Sequence, residues 1–142
     1  MANPGNFQLF VYGSLLSGFK SPAYEYISRY FDLVSEGRVK GLLFDMGDYP
    51  AAVPADFHDT FIDGELYRIR HTSEFSYALA QLDDYEGVLV EPGEQALYRR
   101  ELVQVAIPGG TEVAWIYWFN GDVSGRPQIE SGNLLEYIAA RK

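Results

Sequence analysis

The chain predicts an α+β fold, and three observations lead there. Apolar runs of strand-forming residues dominate, only two or three stretches carry helical periodicity, and glycines recur inside the strand patterns, as suits a small closed or strongly curved sheet. Strands and helices do not alternate regularly, which argues against a doubly wound parallel sheet. The 142 residues suit a single domain, expected to span residues 1–142, with enough apolar sequence for a real core.

Gln8 to Tyr12 reads as the first strand, a central one, because Leu9, Phe10 and Val11 form a continuous apolar run. Ser21 followed by Pro22 has the form of an N-cap with proline in the first helical position, and a helix of about ten residues fits before Asp32. Leu33 to Phe44 reads as a strand, bent or bulged at Gly37 and Gly41. Asp45 to Pro54 reads as turn-rich, with Tyr49 held extended by the proline after it. Phe61 to Ile69 is the next strand, and Gly64 inside it marks a bulge or a close backbone approach.

Thr72 or Ser73 is expected to cap a second helix, in which Phe75, Leu79 and Leu82 recur on one face. Glu86 falls at its C-terminal end, and Gly87 is a natural left-handed terminator. Tyr98 to Ile107 and Thr111 to Phe119 form a hairpin closed by Pro108-Gly109-Gly110, with Val113, Trp115, Tyr117 and Phe119 alternating onto one face. Asn133 can cap a short terminal helix.

Twenty acidic residues against eleven basic give a formal charge of −9, which repels phosphate backbones and anionic membranes, so neither nucleic acid nor membrane is expected as a partner. Cysteine is absent, which excludes disulfides, thiolate catalysis and cysteine-ligated metal. The N-terminal segment is polar and no apolar run approaches a membrane span, so a cytoplasmic location is expected. The 11 tyrosines fit an aromatic core or amphipathic pocket walls. Oligomeric state is left open.

Two stretches carry candidate chemistry. In Tyr12-Gly13-Ser14-Leu15 an apolar strand breaks into a small, hydroxyl-bearing turn where Gly13 lets backbone N–H groups crowd an anion. In Leu82-Asp83-Asp84-Tyr85-Glu86-Gly87, Glu86 faces the negative end of a helix dipole, which disfavours its ionised form and moves it toward the range of a general acid/base. Asp83 and Asp84 read as a solvated helix turn rather than a second acid.

Other motifs fall short. Phe19 stands between Gly18 and Lys20, which breaks the phosphate-loop pattern. His58 and His71 are thirteen positions apart, and surface loop residues explain them and the nearby Asp56 and Asp59 better than a metal site does. Ser14 lacks a nucleophile elbow.

With these two stretches, the chain resembles the gamma-glutamylcyclotransferase-like family. Gly41 to Ala52, Ile62-Asp63-Gly64-Glu65-Leu66-Tyr67, Leu97-Tyr98-Arg99-Arg100 and Ala114-Trp115-Ile116-Tyr117 follow in that family's order, so the resemblance spans most of the chain. It implies a small mixed β-barrel flanked by two or three helices. It also implies an intramolecular reaction, in which the α-amine of a γ-glutamyl group attacks its own γ-carbonyl, closing 5-oxoproline and expelling an amine or amino acid without metal or cofactor. Glu86 would be the general acid/base. Tyr12, Gly13, Ser14 and Leu15 would hold the substrate carboxylate and line the reacting carbonyl, and Tyr98 and Tyr117 match pocket tyrosines. The segments expected around the leaving group, Tyr49 to Thr60 and Val88 to Leu97, hold no cationic cluster, so γ-glutamyl-amines or γ-glutamyl-amino acids are favoured over glutathione, with Arg99 and Arg100 the remaining cations for a leaving-group carboxylate. The competing reading is a non-catalytic domain that binds a small carboxylate through the same turn.

Overall fold

The apolar run at Leu9, Phe10 and Val11 becomes β1 (Gln8–Val11), every residue of it buried, in a computed structural model that describes residues 7–12, 22–47, 50–55, 59–85 and 98–140. Burial on both faces is what such a run predicts for a central strand. β1 pairs antiparallel with β4 (Phe61–Ile69) on one side and parallel with β6 (Gly110–Phe119) on the other. The other elements are β2 (Phe31–Asp45), β3 (Pro50–Pro54), β5 (Tyr98–Ile107), α1 (Pro22–Tyr30), α2 (Phe75–Tyr85) and α3 (Leu134–Ala140).

The sheet order β3-β2-β4-β1-β6-β5 closes on itself where Arg38 of β2 meets Ala106 of β5. Among the described residues five strands thus form a mixed barrel, with β3 paired onto β2 at its edge and three α-helices beside it, in agreement with the expected fold class. Each of the five strands turns residues inward: Phe10, Val39, Ile62, Leu66, Val105, Ala114 and Ile116 share one buried cluster. On the outer face, Leu9, Val11, Tyr67, Tyr98, Tyr117 and Phe119 pack with Ile27 of α1 and Ala78, Leu79 and Leu82 of α2. Ile27 is fully buried, and burying a side chain of that size stabilises by about 1.5–3 kcal/mol. α1 is anchored there.

Several local expectations change. The irregularity in β2 lies between Leu33 and Ser35, not at Gly37 or Gly41. The stretch read as turn-rich contains β3, whose Pro50 and Pro54 sit at its two ends, where an edge strand tolerates the missing N–H donors. Neither Thr72 nor Ser73 caps α2. Thr72–Glu74 instead form a 3₁₀ turn, with His71 at the cap position and the Phe75 N–H donating to the Thr72 carbonyl. β6 is buried on both faces, because Ala114, Ile116 and Trp118 fill the barrel while Tyr117 and Phe119 meet the helices.

Other expectations hold. Gly64 marks a close approach, since a side chain there would run into Phe10 and the Val11 carbonyl. Gly109 turns the β5–β6 hairpin with φ 88°. Asn133 caps α3, its Oδ1 accepting from the Glu136 N–H at 2.9 Å. Among the described residues no helix is long and apolar enough to cross a membrane.

Candidate functional site

The β5–β6 ladder organises the site. Arg100 lies directly opposite Tyr117, and Tyr98 opposite Phe119, so period-two geometry puts all four on the face that meets α2. α2 lays Leu79 and Leu82 on the same face. Asp83 stands four residues after Leu79, on the same stripe, and is carried inward with it.

Asp83 is only 6% exposed. The Arg100 Nε donates to its Oδ1 at 2.8 Å, the Arg100 Nη2 to its Oδ2 at 3.0 Å, and the Tyr117 hydroxyl to Oδ1 at 2.8 Å. The solvated-turn reading of Asp83 is therefore wrong. Arg100 also lies over the Trp115 ring, its Cζ 4.5 Å from the centroid. The hydrogen bonds it donates to Asp83 push the Arg100 guanidinium above its ordinary range, against the opposing effect of its own burial.

Tyr117 carries a second connection. The Tyr12 hydroxyl, at the end of β1, donates to the Tyr117 backbone carbonyl. One residue therefore receives the start of the Tyr12-Gly13-Ser14-Leu15 stretch through its backbone and the last turn of α2 through its side chain. Tyr98 is buried, stacks edge-on against Phe119 at 5.6 Å, and donates its hydroxyl to the Pro50 carbonyl at 2.8 Å. Of the predicted site residues, Tyr12, Tyr98 and Tyr117 are thus brought to one region. Gly13, Ser14, Leu15 and Glu86 lie outside the described residues, as do Asp56 and His58 from the metal reading.

The two cations considered for a leaving-group carboxylate are both engaged. Arg99 pairs with Glu101 at 3.0 Å, and Arg100 grips Asp83 with both prongs. Asp83 and Arg100 were the residues whose connection the sequence hid, although the four-residue step from Leu79 to Asp83 already put that carboxylate on the apolar side of the helix. Held from two directions, Asp83 serves to fix geometry, since a carboxylate gripped as a fork keeps a defined orientation.

A family model described as gamma-glutamyl cyclotransferase, AIG2-like, matches residues 9–136. Over 94 residues the chain is 37% identical to a gamma-glutamylcyclotransferase family protein, ytfP, of Citrobacter rodentium, covering 66% of this chain and 67% of that protein. It is 30% identical over 116 residues to the gamma-L-glutamyl-butirosin B gamma-glutamyl cyclotransferase of Niallia circulans, covering 80% of this chain and 67% of the relative. Among solved structures, YkqA of Bacillus subtilis superposes with a TM-score of 0.70 at 26% identity, covering 96% of this chain and 43% of that one.

Proposed function

This chain belongs to the gamma-glutamyl cyclotransferase, AIG2-like family, and we propose that it cyclises a γ-glutamyl-amine or γ-glutamyl-amino acid to 5-oxoproline with release of the amine or amino acid. The observation that carries the reading is the double connection at Tyr117. It draws together two stretches far apart in the chain, the strand that runs toward Gly13-Ser14-Leu15 and the helix that precedes Glu86.

The Glu86 carboxylate takes a proton from the substrate α-ammonium, and the freed amine attacks the γ-carbonyl carbon. The oxyanion forms against backbone N–H donors of the Gly13 to Leu15 turn, which also bind the α-carboxylate. The bond to the leaving nitrogen then breaks as Glu86 returns the proton to it, and the ring nitrogen gives its surplus proton to the departing amine, so one carboxyl serves as base and then acid. Nucleophile and electrophile belong to one molecule, and correct folding of that molecule supplies about 7–11 kcal/mol of the barrier in well-oriented cases. Tyr98 and Tyr117 wall the pocket. No step calls for a metal or cofactor, and the ligand is a small molecule that local dipoles hold despite the protein's net negative charge.

The test is 5-oxoproline release, followed by mass spectrometry, from γ-glutamyl-alanine, Nε-(γ-glutamyl)-lysine and glutathione, with Glu86→Gln alongside. Wild-type release that Glu86→Gln abolishes is the expected result. Full turnover by Glu86→Gln would remove that residue from its role. Wild-type silence joined to a thermal shift with a γ-glutamyl compound would favour a carboxylate-binding domain.

A further inference from the structure

A general acid/base that works twice in one cycle, on two different nitrogens, has to keep its orientation between the steps. Glu86 follows directly on Tyr85, the last residue of α2. Helix ends leave their final carbonyls without intrahelical partners and fray. Something must hold this one.

Resting on the cyclotransferase reading above, we propose that Arg100 is a positioning residue for Glu86, acting through its two-pronged grip on Asp83 to fix the last turn of α2. Asp83 lies two residues before the helix ends. Its carboxylate receives three hydrogen bonds between 2.8 and 3.0 Å, two from Arg100 and one from Tyr117. Both donors stand on neighbouring strands of the barrel, in register, and a grip mounted on strands is stiffer than one mounted on loops. Arg100 is itself held by the Trp115 ring beneath it. The side chains of Arg100 and Asp83 are 23% and 8% exposed, so water does little to loosen the fork.

Stability alone is a poor reason for this arrangement. Apolar side chains of similar volume often serve a helix–sheet contact as well as a buried ion pair does, or better. What the pair adds is a fixed direction. Two parallel N–H to oxygen bonds set both the position and the rotation of the Asp83 side chain, and thereby the last turn of α2, from which the chain runs on to Glu86.

The experiment compares wild type, Arg100→Lys and Asp83→Asn on whichever of γ-glutamyl-alanine and Nε-(γ-glutamyl)-lysine the wild type turns over faster. Arg100→Lys keeps the charge and loses the fork; Asp83→Asn keeps the shape and loses the charge. Ile27→Val, a buried change in α1 within the same apolar cluster but outside the clamp's hydrogen bonds, is the control for a general loss of stability. We expect kcat to fall about 10- to 100-fold in each clamp variant that gives a cooperative thermal transition, the scale of a 1 Å misplacement. KM should stay within about threefold, the mark of an interaction that counts at the transition state. Ile27→Val should keep kcat within about twofold.

An unchanged kcat in a folded clamp variant would overturn the proposal, as would a rise in KM alone or an equal loss of kcat in Ile27→Val. Should neither clamp variant fold while Ile27→Val does, the pair is a folding element and the proposal also fails. Wild-type silence on both substrates, or full activity of Glu86→Gln, would instead overturn the reading beneath it.

Discussion

Replacing Gly64 with alanine should damage the protein through the strand that leads to Tyr12. A methyl group at Gly64 would lie 2.6 Å from the Phe10 Cζ, and the Val11 carbonyl oxygen is nearer still. Carbon and carbonyl oxygen settle at about 3.3 Å or more, so β1 and β4 would have to part by about 1 Å. Phe10 offers no relief, because it is 1% exposed and fixed inside the barrel. Overpacking a core costs about 1–3 kcal/mol, and a backbone obstacle puts this site at the upper end. Alanine for glycine returns about 0.4–1 kcal/mol through the unfolded chain, leaving a net loss of about 2 kcal/mol. For a chain of this length that is a fall in Tm of about 6–8 °C, read by circular dichroism, with the urea m-value unchanged. Gly110→Ala is the control, since a methyl group there meets no heavy atom within 4 Å. A Gly64→Ala protein as stable as Gly110→Ala would refute the reasoning.

Tyr98→Phe removes the hydroxyl that ties β5 to the Pro50 carbonyl of β3 and should cost about 0.5–1.5 kcal/mol in urea unfolding; an unchanged midpoint would show that the bond adds nothing. Asp122 is exposed, and the hydrogen bonds it accepts from Ser124, side chain first and then backbone N–H, hold its carboxyl below the ordinary carboxylate range. A depressed carboxylate pKa means that the order conferred on residues 122–124 is full above the ordinary aspartate value and is lost as pH falls through the lowered one. The Ser124 amide resonance should therefore titrate with a midpoint below that of a free aspartate, and a midpoint at or above it would contradict the assignment.

Where pattern and structure share one short length scale, the sequence was readable. The run from Phe61 to Ile69 is a strand with the expected bounds, and Pro108-Gly109 turns the hairpin, because period-two apolar residues and turn chemistry act between near neighbours. β3 was missed because its reason for being extended is an external one. It pairs with Gly41 to Asp45, and nothing inside Pro50 to Pro54 announces that partner. Gln8 illustrates the same limit. It is a polar residue at the head of a strand, yet fully buried, with Nε2 donating to the Val113 carbonyl at 2.9 Å and Oε1 accepting from Arg68.

In the site, the tyrosines were legible as types and positions. Their convergence was not, because Asp83, Arg100 and Tyr117 meet only after the barrel is formed. Two adjacent aspartates read as a surface. Helical phase alone put the first of them on the apolar stripe, and that clue was outweighed by charge.

The parallel seam between β1 and β6 also bears on how the protein is made. Tyr12 and the carbonyl it bonds are 105 residues apart, and a ribosome adds about 5–20 residues per second. During those seconds β1 can take β4 as a neighbour, while its opposite edge waits, apolar and unpaired, for a strand not yet translated. An open edge of that kind is a template for other chains, and closing so long a loop is slow. The nascent chain is therefore most exposed to aggregation just before β6 emerges, and β1, made before the other strands of the barrel, is among the last to complete its pairing.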